Sequence, residues 1–543
     1  MASGWARLPQ EVRLQILQTL IQDGCSLAGL ATVSREWQTE LERYNFARIK
    51  VTPSRLVNLG SMIHRNRALV NYIWFCLELR TYDCTECAPS SRKLTYEEWE
   101  EACCISDANG YPMDTLFEAL FSVLSMWEPN GNLVLDISIY SPSDSKHWFP
   151  YLTFMPDSGS DMQSGRVEQE TSNTVYDDPR HGWISGFREI PPLRHAFGKI
   201  FHSIMDVGPF DSDQLELQWW DQLPSVPAVT TILLRQQNRR RWKQDSLAHM
   251  FARFPRLQEV HYEPWREWCG LQEVTDKSEY CFVCLSNLRF ARIYRATSLL
   301  TIRVRYLGFE YLFESIPRFT KNLKRLIVFE NFNQQYPPTM QLFQRGVNLT
   351  KCDTFRKPSP GVSRSVALAS LDLEHLAASF IVDASHFFDI EPCCEWPNLS
   401  SIVLTSTLLT PDEDPIKIGS MLEAAAAAAL KMPRLKTMEI WNGRQGLAAM
   451  FKFQVFHKRE EATITWIGTW QLTMKPSLIK AWKTVTDQYD SFRLNLVRER
   501  LDQVAINSHG DAIHHLRLSG QVIRPVSLQQ IQMEQKSLNG VPT

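Results

Sequence analysis

The stretch PNLSSIVL, residues 397–404, contains an anchor leucine, then two residues, an apolar residue, one residue and a second apolar residue. The same phrase recurs six more times, and four of its seven copies begin with Pro. Successive anchors are 28, 31, 35, 45, 31 and 36 residues apart. The last two apolar positions of the phrase are spaced two apart, as one buried face of a β-strand requires. The seven copies are Val229/Ile232/Leu234, Leu257/Val260/Tyr262, Leu288/Ala291/Ile293, Leu323/Leu326/Val328, Leu368/Leu371/Leu373, Leu399/Ile402/Leu404 and Leu435/Met438/Ile440.

Helical patterns separate these phrases, for example SLAHMFARF (246–254), FEYLFESI (309–316) and SMLEAAAAAALKM (420–432). A strand and a helix repeating about every 30 residues are typical of a leucine-rich-repeat solenoid. The asparagine or cysteine of the leucine-rich-repeat consensus is missing, and the spacing between successive anchors is uneven. The sequence therefore predicts an α/β protein with an irregular leucine-rich-repeat-like solenoid, and the alternative is an ordinary α/β domain with similar strands.

The N-terminal stretch LPQEVRLQILQTL, residues 8–20, predicts a helix with two apolar stripes. Val12, Ile16 and Leu20 form one stripe, and Leu14 and Leu17 lie on the other, which Ile21 continues. Two short helices follow, with Ser34 as a possible cap of the second. A helix with two apolar faces must bury each face against a separate packing partner. The second partner is either the rest of this chain or another protein.

The order LPQEVRLQIL, then SLAGLATVSREWQTEL, resembles the F-box over residues 5–48. This resemblance implies docking on the Skp adaptor of a cullin-RING ubiquitin ligase, and hence a Skp-type adaptor and a cullin complex as partners. It assigns the adaptor face to Leu8, Pro9, Val12, Ile16, Leu17 and Leu20, with Leu27, Leu30, Val33 and Trp37 building the module around them.

The C-terminal phrases WNGRQGLAAMF, ATITWIGTW and HGDAIHHLRLSGQVIRPVSLQQI are similar to the C-terminal region of a group of filamentous-fungal F-box proteins. This resemblance implies common ancestry with those proteins, and it implies no catalytic or binding function for the C-terminal region. ATITWIGTWQLTM predicts a β-hairpin with Gly468 in its turn. The predicted units are an F-box (1–48), a divergent strand/helix region (49–226) with a long exposed loop at about 141–190, the solenoid (227–441), a C-terminal α+β region (442–535) and a tail (536–543).

The composition excludes several classes of protein. Of 543 residues, 44% are hydrophobic and 22% charged, which is typical of a globular protein. The net charge of −2 gives no overall field for nucleic acid, and no apolar run is long enough for a membrane span. The N-terminus lacks a signal-peptide pattern, so we expect reduced cysteines in the cytosol or nucleus. The basic run QQNRRRWK (236–243) is either a nuclear-import or nucleic-acid patch or a solvated loop.

Neither a metal centre nor an active site is expected. Cys84/Cys87 and Cys281/Cys284 have CxxC spacing, but no His-x₃₋₅-His follows and both pairs lie among apolar residues. The cluster His509, Asp511, His514 and His515 matches no zinc motif and fits a helix with a polar face. No phosphate-binding or nucleophile motif occurs, so we predict a protein that is no enzyme and has no cofactor.

The resulting hypothesis is a substrate-recognition subunit of a Skp-cullin-F-box ubiquitin ligase, with a protein target held on the solenoid and the C-terminal region. The alternative is a scaffold or regulatory repeat protein whose F-box-like helices serve packing. The sequence does not identify the target. Aromatic and arginine side chains that follow the repeat strands are the predicted target contacts: Arg235, Tyr262, Trp265, Tyr294, Arg295, Phe329, Phe332, Trp441 and Arg444.

Overall fold

The protein is a mixed α/β structure built on one large, mostly parallel sheet. The computed structural model describes residues 4–23, 27–87, 112–157, 176–190, 212–266, 308–336, 357–391, 393–489 and 492–539, with a few single residues and short stretches between 192 and 210. Within these residues the sheet has twelve strands, which are neighbours in chain order. They are β1 (Arg48–Val51), β2 (Tyr72–Glu78), β3 (Leu133–Tyr140), β6 (Val229–Leu234), β7 (Glu259–Tyr262), β8 (Arg325–Phe329), β9 (His375–Ser379), β10 (Ser401–Thr405), β11 (Thr437–Arg444), β12 (Leu447–Phe456), β13 (Glu461–Gly468) and β14 (Arg493–Arg500). A separate two-stranded sheet contains β4 (Trp183–Ile184) and β5 (Phe187–Arg188).

The phrase found in the sequence sets the register of this sheet. Its middle apolar position pairs from strand to strand, and its last apolar position does the same two residues later. Every member of both rows is buried in one hydrophobic core. The first row is Ile232, Val260, Leu326, Leu376, Ile402 and Met438, and the second is Leu234, Tyr262, Val328, Ala378, Leu404 and Ile440.

The anchor residues, which are the first position of each copy of the phrase, were also predicted to be buried in this core. Val229, Leu257, Leu323, Leu399 and Leu435 are buried in the same core, and Leu288 lies outside the described residues. The anchor Leu368 was predicted wrongly: it lies in a helix and is 50% exposed. The strand begins at His375, so the true copy of the phrase is Leu373/Leu376/Ala378, five residues later, and all three are buried.

A layer of helices covers one face of the sheet, and its apolar side chains complete the large core. The helical patterns at 246–254, 309–316 and 420–432 overlap three of these helices. They are α4 (Pro53–Met62), α6 (Met113–Ser125), α7 (Asp213–Gln222), α8 (Gln244–Ala252), α9 (Phe309–Phe319), α10 (Pro360–Ala369), α11 (Ala384–Phe387), α12 (Pro415–Ala429) and α13 (Pro476–Thr486). The remaining helices are α1 (Gln10–Gln22), α2 (Leu27–Leu30), α3 (Arg35–Ala47), α5 (Cys84–Cys87), α14 (His509–Leu516) and α15 (Pro525–Leu538), with 3-10 turns at Gly4–Arg7, His64–Leu69, Pro179–His181, His457–Arg459 and Gln503–Ala505. No helix in the described part of the chain is long and apolar enough to cross a membrane.

The second face of the sheet is closed by the C-terminal helices α14 and α15. Ala512, Ile513 and Leu516 of α14 pack with Trp441 and Met450 of the sheet in a second core. The predicted region borders near residues 227 and 441 do not divide the sheet, because β3 pairs with β6 and β11 pairs with β12.

Residues 141–157 also cover this second face, which corrects the prediction of an exposed loop at about 141–190. Trp148, Phe149, Tyr151 and Leu152 form a third core with Trp183. These apolar side chains stand among the serines and aspartates that suggested a solvated loop. Residues 158–175 lie outside the described residues.

No strand follows β13 within residues 469–475, so the predicted second strand of the hairpin is absent there. The antiparallel pairs lie earlier in the chain, where β11 pairs with β12, with Arg444 opposite Leu447, and β12 pairs with β13. Gly446 occupies the turn with a φ of 71°, a conformation that glycine adopts at little cost. The prediction of a hairpin at Gly468 was therefore wrong.

The basic run at 236–243 is neither a solvated loop nor an open patch, because most of it is buried and its buried arginines form ion pairs. Arg239 is 2.6 Å from a carboxylate oxygen of Glu534 in α15, and Arg240 is 2.6 Å from Asp144. A buried guanidinium needs such a counter-charge, since an unpaired buried charge is strongly destabilising. These pairs hold the C-terminal helix and residues 141–157 on the second face.

We expect Glu534→Ala to loosen α15, because it leaves Arg239 buried without a counter-charge, at a cost of about 3 kcal/mol or more. Amide hydrogen exchange within Pro525–Leu538 should become at least ~10-fold faster. Glu128→Ala removes an exposed carboxylate and is the control, with no change expected in α15. Equal exchange in both variants would show that the ion pair does not hold the helix.

Candidate functional site

The N-terminal helices α1, α2 and α3 pack into a small module. Leu17 of α1 and Leu41 of α3 are buried. The rings of Trp5 and Trp37 lie 5.0 Å apart, and the indole N–H of Trp5 donates to Glu36 at 3.0 Å. These contacts hold the 3-10 turn Gly4–Arg7 against α3.

One stripe of α1 stays on the surface. Leu8, just before the helix, is 36% exposed, and Val12 and Ile16 are 39% and 36% exposed. The opposite stripe, with Leu14 and Leu17, faces the module. Two apolar faces were predicted, and the structure shows that the module packs against only one of them. A row of exposed aliphatic side chains on a helix fits an apolar groove on another protein.

The ten residues assigned to adaptor docking divide by exposure. Leu8, Pro9, Val12, Ile16 and Val33 are exposed and can contact a partner. Leu20, Leu27, Leu30 and Trp37 are half-buried, and Leu17 is inside the module.

The module is joined firmly to the sheet. Ser34 caps α3 by accepting from the Trp37 N–H at 3.3 Å, as predicted. Helix α3 ends at Ala47 and β1 begins at the next residue, Arg48. The exposed row therefore has a fixed position at the first edge of the sheet.

The predicted target contacts lie mainly inside the protein, which corrects the expectation of an open binding face. Arg235 is buried 2.7 Å from Asp136, and Tyr262 packs in the large core. The Arg239 guanidinium lies 3.7 Å above the Trp265 ring. The remaining members of the set are Phe329, Phe332 and Trp441, which are buried, Arg444, which is half-buried, and Tyr294 and Arg295, which lie outside the described residues.

Several of these side chains are buried because other parts of the same chain cover the second face of the sheet. Phe329, Phe332 and Phe380 surround His509 of α14, whose ring centroid is 4.4 Å from that of Phe332. The sequence correctly found a row of aromatics at the strand ends, but their partner is a helix of the same chain.

A second group of side chains was missed by sequence reasoning. Cys84, Cys87, His147 and His181 have ligand atoms that all lie within 4.8 Å of one another. The CxxC pair was a visible signal, but the two histidines are 60 and 94 residues beyond Cys87. Only the fold brings them to the pair, so the expectation of no metal ligands at this place needs revision.

The histidines at 509–515 lie in different environments. His509 is buried and its Nε2 lies 2.9 Å from the Asn331 side-chain oxygen, while His514 is exposed. Burial lowers the pKa of His509 from its ordinary 6.5 to about 3. The folded protein therefore holds this imidazole neutral.

This lowered pKa predicts a pH dependence of stability. The unfolded chain gains a proton at His509 below about pH 6.5 and the folded chain does not, so stability falls as the pH drops from 6.5 towards 3. At pH 5 the loss is about 2 kcal/mol relative to pH 7.5. His509→Phe loses the bond to Asn331 but has no such loss, so its thermal midpoint should approach that of the wild type at pH 5. The exposed control His514→Phe should keep a constant offset, and a constant offset for His509→Phe would contradict the prediction.

Residues 315–524 are similar to a family described as "Family of unknown function (DUF6546)". The matched segment begins within α9 and runs through β14 and α14 to Arg524, just before α15. Of the elements that cover the second face, it includes α14 but neither α15 nor residues 141–157, and it excludes the N-terminal module. No curated protein matches the chain.

Proposed function

We propose that this chain is the substrate-recognition subunit of a Skp-cullin-F-box ubiquitin ligase. The observation that carries the proposal is the exposed aliphatic row Leu8, Val12 and Ile16 on a helical module whose sequence resembles the F-box. The adaptor contributes an apolar groove to this row, and the ubiquitin chemistry belongs to other subunits. The chain itself acts in the cytosol or nucleus by binding and needs no active site.

In this proposal the sheet and its helical layer form an irregular leucine-rich-repeat array that separates adaptor from target. The support is that strands follow in chain order with phrase positions aligned. The adaptor would bind at the β1 edge, where α3 enters the sheet. A target would bind near the other edge, which leaves room between them for the modifying enzyme.

Strand β14 is the best-suited target surface on the described residues. It pairs only with β13 among the described strands, and Leu496 and Val497, which point to opposite faces, are 44% and 46% exposed. Arg493, Arg498 and Arg500 are exposed on the same strand. An edge strand can pair with an added strand from another protein. We assign the target contact to an extended segment with acidic side chains.

The adaptor proposal is tested with Val12→Glu/Ile16→Glu in the full chain. Two charges on the exposed row should reduce binding of a purified Skp-type adaptor at least ~100-fold, since each unpaired charge in an apolar groove costs several kcal/mol. The matched control is Gln18→Glu/Gln22→Glu, which adds the same two charges to a polar, exposed face of α1. Both variants should keep the thermal midpoint of the wild type.

Adaptor binding by Val12→Glu/Ile16→Glu at wild-type strength would overturn the docking assignment. If the wild type binds no adaptor, the scaffold alternative replaces the ligase proposal. That alternative has one observation in its favour, because the module also packs on the body of the chain, where Glu42 of α3 forms an ion pair with Arg65.

The target surface is tested with Arg498→Glu/Arg500→Glu. Proteins whose ubiquitination depends on this chain should lose that dependence, while adaptor binding stays unchanged. Lys475→Glu/Lys480→Glu makes the same change of charge at exposed residues near α13 and is the control. Loss of ubiquitination in the control as well would point to overall charge rather than to β14.

A further inference from the structure

Four potential metal ligands meet at the edge of the second-face cover. Cys84 and Cys87 come from the short helix α5, His147 from the segment after β3, and His181 from the turn before β4. Their ligand atoms lie within 4.8 Å of one another. The shortest cross pairs join Cys84 Sγ to His147 Nδ1 at 3.6 Å and Cys87 Sγ to His181 Nε2 at 3.4 Å.

These distances match a tetrahedral site. Zinc binds cysteine sulfur at about 2.3 Å and histidine nitrogen at about 2.0–2.1 Å. The sulfur-to-nitrogen edge of such a tetrahedron is then roughly 3.5 Å. The two sulfur-to-nitrogen pairs, at 3.6 and 3.4 Å, are close to that edge.

The surroundings of His181 provide an independent observation. Its Nδ1 lies 2.6 Å from Asp178 Oδ2, which leaves Nε2 directed towards Cys87. A carboxylate on the other ring nitrogen is the usual way in which proteins orient a metal-binding histidine. The turn that presents His181 is tight, because Gly182 has a φ of 77° and a Cβ there would lie 2.4 Å from the Ile190 carbonyl oxygen.

Two of the four ligand residues, Cys84 and His147, are half-buried, and the other two lie deeper. Cys87 and His181 are buried, and Trp148 and Trp183 pack in the same core as Cys87. The Trp148 indole donates to the Cys87 carbonyl at 3.2 Å. Two cysteines and two histidines fill all four positions of a tetrahedron, which is typical of a structural ion rather than a catalytic one.

We propose that Cys84, Cys87, His147 and His181 bind one structural zinc ion that fastens three separate segments over the second face of the sheet. Two thiolates and two imidazoles in tetrahedral arrangement select zinc among the common cellular divalent ions. Binding releases the thiol protons of Cys84 and Cys87 and leaves both histidines neutral. The role explains why residues 141–157 and 176–190 stay packed although few regular elements hold them. This inference is independent of the proposed ligase function.

The test is the zinc content of the full chain, purified without chelator and measured by plasma mass spectrometry. The wild type should carry about one zinc per chain more than Cys84→Ser/Cys87→Ser. The matched control is Cys393→Ser/Cys394→Ser, which removes two other free cysteines and should keep the zinc of the wild type. His147→Ala is a milder variant for the case that the double variant does not fold, and it should bind zinc at least ~10-fold more weakly.

Cobalt provides a direct readout of the ligands. Replacing zinc with cobalt in the wild type should give the visible spectrum of a tetrahedral ion with thiolate charge transfer, and this band should be absent in Cys84→Ser/Cys87→Ser. Chelation of the wild-type zinc should also speed proteolysis within 141–190. The proposal fails if Cys84→Ser/Cys87→Ser retains the wild-type zinc, if the wild type contains none, or if mass spectrometry finds a Cys84–Cys87 disulfide in the purified chain.

Discussion

The in-register pairing of parallel strands is the constraint on which the rest of this structure depends. Each copy of the phrase places two side chains, spaced two residues apart, on the helix-facing side of the sheet. A shift of one residue in any strand would turn those side chains to the other face. The register therefore has to agree in every strand from β6 to β11, and the helices between them can differ in length as long as they return the chain to the same level.

The second face of the sheet is stabilised by a different set of contacts. It carries charged and aromatic groups, including Asp136, Arg235 and Glu263, which need partners when they are buried. The C-terminal segment supplies several: Ser527 donates to Glu263, Glu534 pairs with Arg239, and Arg524 donates to Asp157. The face is therefore closed by polar contacts as well as by apolar packing. At the two ends of the sheet, the α1 row and side chains of β14 remain exposed.

Particular residues show how far sequence reasoning reached. The phrase predicted the strands around Leu257, Leu323, Leu399 and Leu435 because their apolar spacing is a local property. It failed at Leu368, since ALASLDL (367–373) and LEHLAA (373–378) both fit the phrase and the choice depends on which leucine meets the core. It also failed for Arg235 and Trp441, which resemble surface anchors in sequence. Arg235 is buried and donates to the Met155 carbonyl, and Trp441 packs with α14.

The sequence by itself determined the alternation of strand and helix, the helix cap at Ser34 and the two apolar stripes of α1, because each depends on side chains a few residues apart. The tertiary structure alone decided which stripe stays exposed, that the basic run is buried in ion pairs, and that His147 and His181 meet Cys84 and Cys87. These outcomes depend on contacts between residues tens to hundreds of positions apart. Local spacing carries no information about such contacts, since they arise only when the sheet and its two covers are assembled.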